Sequence, residues 1–210
     1  MSNLLDVLSG VLRYFPNTMT LSLFVIGMTL GRIPWVLVSI GGVIVAILTL
    51  AMQYFLSKAF NIGGLPGPTM IQACSMIPIA SGEYSPVPSM WITLAMFYLT
   101  YFITNASFVY SAPTPSKVSQ NSIQVQQRKS IGIISLLAIS LLFFFIVIPR
   151  FMTACETKLG AAIGGLWGIG AGVGYWYVLR ACNSTLFPDV HGVMLGINPG
   201  TLHSSPLVCS

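Results

Sequence analysis

The chain has 210 residues, 55% of them hydrophobic and 6% charged, with a mean hydropathy of +0.84. A soluble domain carries roughly 25% charged residues, so this composition excludes a water-facing globular surface and predicts a single-domain polytopic membrane protein. The formal net charge of +5, from nine Lys and Arg, suits anchoring at a membrane surface and not nucleic-acid binding.

In chain order, Leu4 to Phe15 (LLDVLSGVLRYF) sets Asp6, Ser9 and Arg13 at helical spacing among leucines and valines. This predicts an amphipathic helix lying on the membrane over residues 1–16. The alternative is a short first span cut off at its start. Asp6 and the lack of a small-residue cleavage site argue against a secretory signal. Residues 17–31 are apolar but short of the about 20 residues a span needs. The GRIP sequence, Gly31 to Pro34, is a break. Spans are expected over Pro34 to Phe55, Met90 to Tyr110, Ile131 to Pro149 and Leu159 to Leu179. The expectation is an all-α membrane helix bundle of about five spans over residues 17–180, the first the weakest, followed by a polar tail over 181–210.

Five spans alternate the loops. Arg13, Lys58, Arg150 and Lys158 then share one side, and Arg32, Lys117, Arg128, Lys129 and Arg180 the other, four basic residues against five. The Arg128–Lys129 pair tilts the second side toward the cytoplasm. Cys74 and Cys155 fall together on the first side, where a disulfide is allowed; free thiols at the membrane edge are the alternative. Asn105-Ala-Ser and Asn183-Ser-Thr match the glycosylation sequon, but one lies in a span and the other on the cytoplasmic side. In the last span Gly160, Gly164, Gly168 and Gly172 recur every four residues, a bare helix face that lets a neighbour approach closely.

Three stretches at span ends converge on the first side: KAFNIGGLP from Lys58, PSMW from Pro88, and PRFMTACETKLG from Pro149. Their order and placement resemble the three motifs of the membrane-bound type 2 phosphatidic acid phosphatase superfamily: Lys-x6-Arg-Pro, Pro-Ser-Gly-His, and Ser-Arg-x5-His-x3-Asp. The resemblance spans Val36 to Leu179 and implies a helical-bundle core. Lys58 and Pro66 match the first motif, with Leu65 in place of its arginine. Pro88 and Ser89 match the second, with Met90 and Trp91 in place of glycine and histidine. Arg150 matches the third, with Pro149, Glu156 and Gly160 in place of serine, histidine and aspartate.

In that family the third-motif histidine attacks phosphorus, the second-motif histidine protonates the leaving oxygen, and Lys and Arg neutralise the phosphate. Both histidines are replaced here. Glu156 is the remaining nucleophile type, but an anion facing a phosphate needs cationic screening, and one arginine is also missing. The resemblance therefore implies a catalytically silent member in which Lys58, Ser89, Arg150 and Glu156 are relics, Arg150 and Lys158 anchor at the interface, and Glu156 pairs with one of them. A lipid or polyprenyl phosphate phosphatase with a rearranged site is the enzymatic alternative. A small transporter or channel is another, disfavoured by spans nearly free of charge.

No cofactor or metal is expected. His191 and Asp189 lie close in the tail without a third ligand, His203 is isolated, and the four cysteines lack C-x-x-C spacing. The run from Arg150 to Cys182, with the PDVHGV tail, also resembles small multi-span proteins of large DNA viruses of algae and protists. That resemblance implies residence in a viral inner membrane, or a membrane derived from host endoplasmic reticulum. It implies a structural role with membrane lipid and capsid or other virion proteins as partners, the latter gripped by the tail.

Overall fold

The computed structural model describes residues 2–60, 65–66, 84–85, 87–111, 123–152 and 156–182. They form five helices: α1 (Ser2–Thr29), α2 (Ile33–Phe60), α3 (Met90–Ser111), α4 (Ile123–Met152) and α5 (Lys158–Cys182). A two-residue antiparallel pair, β1 (Leu65–Pro66) and β2 (Tyr84–Ser85), sits between α2 and α3, with Leu65 opposite Ser85 and Pro66 opposite Tyr84. Among the described residues, four helices are long and apolar enough to cross a membrane, over Ile33–Ala59, Met90–Ser111, Val125–Ile148 and Lys158–Cys182. This arrangement is compatible with an integral membrane protein. Helix α1, which holds the weakest of the expected spans, is not among these four.

The boundary expected between residues 16 and 17 is not marked in the backbone. Helix α1 runs through it without interruption and carries Pro16 in its interior. The ring cannot donate to the helical ladder. The helix continues beyond it, and Thr20 Oγ1 donates back to the Pro16 carbonyl at 2.8 Å. The break at GRIP is where the sequence placed it. Gly31 has φ of 62°, Arg32 N donates to Gly27 O at 2.7 Å and Gly31 N to Met28 O at 3.4 Å, a Schellman cap. Pro34 then falls in the first turn of α2, where its missing N–H costs nothing.

Helices α2, α4 and α5 outrun the expected spans because their ends carry charges that apolar patterning excludes. Lys58 is in the last turn of α2, Arg150 in that of α4 and Arg180 in that of α5, each at the negative end of a helix dipole. Lys58 is therefore helical, three residues beyond the span end expected at Phe55.

Helix α3 is the hub. It packs against α1, α2, α4 and α5, and buries Trp91, Phe97, Tyr98 and Tyr101 almost completely. Toward α5 the contact is backbone to backbone. A Cβ on Gly164 would lie 2.8 Å from Ser89 O, and one on Gly172 would lie 2.6 Å from Phe97 O. One on Gly168 would collide with Thr93 O. Gly160, Gly164, Gly168 and Gly172 are all buried along this seam. Polar side chains inside the bundle answer one another, as hydrocarbon requires. Tyr98 OH lies 2.5 Å from Thr20 Oγ1, Tyr175 OH donates to Leu37 O at 2.7 Å, and Trp167 Nε1 to Thr49 Oγ1 at 3.2 Å. Asn105, the sequon residue, is fully buried and accepts from Trp176 Nε1 at 3.4 Å, so it offers nothing to a glycosylating enzyme.

Candidate functional site

Helices α3 and α5 start, and α2 and α4 finish, at one end of the bundle. Two of the three motif stretches meet there. Ser89 is the N-cap of α3: its Oγ accepts from Ile92 N at 3.3 Å and its carbonyl from Thr93 N at 3.0 Å. Thr157 caps α5 in the same way, with Oγ1 accepting from Gly160 N at 3.1 Å. The two caps are tied together, because Ser89 N donates to Gly160 O at 3.0 Å. From α2, Gln53 Nε2 donates to the Pro88 carbonyl at 2.7 Å. The bond at Val87–Pro88 is cis.

Arg150 reaches across this corner from the end of α4. Its Nη2 and Nε both lie 3.2 Å from Glu156 Oε1, and the two side chains are 7% and 3% exposed. The guanidinium carbon lies over the Trp91 ring, 4.9 Å from its centroid. The Ser89 hydroxyl donates to Glu156. Burial pushes the Glu156 carboxyl above its ordinary range, against the opposing pull of the Ser89 hydroxyl and the Arg150 guanidinium. Burial pushes Arg150 downward, Glu156 opposes this, and Arg13 on α1 adds a smaller like-charge push in the same direction.

The corner thus joins Ser89, Arg150 and Glu156, with Trp91 as its lid. Lys58 stands apart: it is exposed, with its ammonium over the Tyr54 ring at 4.8 Å. Cys74 and Cys155 lie outside the described residues, as do the tail with Asp189, His191 and His203. Among the described residues no group of three His, Cys, Asp or Glu side chains converges to hold a metal ion.

Three participants escaped sequence reasoning. Thr157 carried a legible signal, a threonine just before an apolar run with glycines. Trp91 enters the motif comparison as a replacement for histidine, which carries no sign of its contact with Arg150. Arg13 was placed on the correct side, but its approach to Arg150 is a tertiary fact.

The chemistry available here is narrow. The guanidinium is bonded to a carboxylate through Nε and Nη2 and packed over an indole, so a phosphate would have to displace Glu156 to reach those nitrogens. The Ser89 hydroxyl both accepts and donates within the corner. Among the described residues, no imidazole is present to transfer a proton. What the arrangement does is clamp the ends of α3, α4 and α5 together. Scans against protein-family models, characterised proteins and solved structures return no match to this chain.

Proposed function

We propose that this chain is a catalytically silent, phosphatase-like membrane bundle with a structural role. One observation carries the reading: Arg150, at the position where the resemblance puts a phosphate ligand, is consumed by a buried ion pair with Glu156, the residue standing in for the nucleophile. A group that is 3% exposed and bonded to its neighbours is built to hold helices, not to meet substrate. The test is phosphate release from liposomes doped with phosphatidate or polyprenyl diphosphate. The expected outcome is no turnover above an Arg150→Ala control; turnover abolished by Glu156→Gln would sink the proposal.

The structural role we propose is tethering a viral inner membrane to its capsid through the tail over 181–210. It is supported by the tail's composition, polar and punctuated by Pro188, Gly192, Pro199 and Gly200, with no run able to re-enter the bilayer. Truncation after Asn183 should leave the bundle inserted and abolish incorporation into particles. Normal incorporation of the truncated protein would remove the tail from the account.

A further inference from the structure

Helices α1 and α2 leave between them an open groove of about 510 Å³, away from the corner clamp. Its walls are Leu21 and Phe24 on α1 and Val43, Ile47 and Leu50 on α2, each 42–64% exposed. Its polar floor is already satisfied. Ser39 Oγ donates to Thr20 O at 2.8 Å, and Thr20 Oγ1 is held by Pro16 O and Tyr98 OH. At Gly42 the floor is flat, because the Tyr98 hydroxyl occupies the place of a side chain. The groove runs from Ile40 to Leu50, about 15 Å along a helix. It lies inside the candidate span Ile33–Ala59, so whatever fills it comes from the bilayer.

Both walls lead to a cation at the clamp end. On α1, Arg13 precedes the lining residue Asn17 by one helical turn and shares its face. On α2, the wall face Val43, Ile47 and Leu50 continues through Tyr54 to Lys58. An apolar channel with cations at one mouth matches an acyl chain whose headgroup carries a negative charge. Long basic side chains at span ends extend toward the headgroup layer in this way. We propose that this groove holds one acyl chain of an anionic phospholipid, drawn from the leaflet at the clamp end, with its phosphate held by Arg13 and attracted by Lys58.

The test uses the full chain, equilibrated with mixed phosphatidylcholine–phosphatidylglycerol vesicles, extracted in mild detergent and examined by native mass spectrometry. The wild type should retain phosphatidylglycerol over phosphatidylcholine by about fivefold, the preference expected of one basic residue near the surface. Arg13→Gln should lower the preference to the part Lys58 supplies, Arg13→Lys should keep it, and Val43→Trp, which fills the groove from an exposed position, should release both lipids. Equal retention of the two lipids by the wild type would overturn the proposal, as would Val43→Trp leaving retention unchanged. A lipid-free dimer would also overturn it, by giving the groove to a second copy.

Discussion

Helices α3 and α4 lie side by side, and their composition and burial run in opposite directions. The most apolar stretch of α4 is only 17% buried within the protein, whereas that of α3, with its threonines, tyrosines and Asn105, is 61% buried. In water this order would be perverse. In a bilayer it follows from the solvent: lipid tails are as apolar as leucine, so no hydrophobic force drives Leu141 or Phe145 inward. Residues go inside for close packing and for hydrogen bonds. Helix α3 has both, with the glycine face of α5 along one side and the Ser89 cap and clamp at its start.

The sharpest way to break this comparison is at the clamp, where a polar contact does what apolar burial cannot. Glu156→Leu would take the carboxylate away from the Arg150 guanidinium, 7% exposed and unable to shed its charge. A loss of about 3–5 kcal/mol is expected. Arg150→Met should cost less, because burial already pushes the Glu156 carboxyl toward its neutral form. The double replacement should recover most of the loss, since a well-packed apolar pair often substitutes for a buried ion pair. Reversible unfolding in mixed micelles, run on all three variants, gives the order. Equal losses from the two single variants would contradict the asymmetry.

The seam gives the next largest effect. Gly168→Leu must push α5 off the Thr93 carbonyl and should cost about 1–3 kcal/mol or more by overpacking. At Gly170, two residues on, an added Cβ meets nothing within 4 Å, so Gly170→Leu should be close to neutral. Thermal midpoints of the two variants in one detergent decide it; similar shifts would mean that glycine content, not the α3 contact, holds α5.

A pH scan is subtler. The folded pKa of Glu156 is raised, so the folded state holds this proton more tightly than the unfolded state does. Its contribution to stability is fully present below the ordinary carboxylate range and is lost as pH rises through the raised value. The wild-type midpoint should therefore fall over that window while that of Glu156→Gln stays flatter. A wild-type rise would reverse the assigned direction.

The smallest effect belongs to α4. Phe145→Leu, at a side chain 73% exposed within the protein, should change stability by less than about 0.5 kcal/mol. A large loss measured by the same unfolding assay would show that a partner, not lipid, covers that face.

By itself the sequence determined that the chain is a bundle of long apolar helices, where the GRIP turn falls, and which face of α5 is bare. These are local properties: charge content, a glycine able to take positive φ, and a four-residue period. It also placed Arg13, Lys58, Arg150 and Lys158 at one end, since alternating helices leave no other choice. Only the tertiary structure decided that α1 runs unbroken through Pro16, because a missing hydrogen bond can be tolerated where Thr20 and the packing of Tyr98 support the turn. Only it selected Glu156 as the partner of Arg150, left Lys58 outside the corner, and laid Trp91 over the guanidinium. Those outcomes depend on how α3, α4 and α5 meet at their ends, and a charge in a sequence carries no record of which neighbour will be within reach.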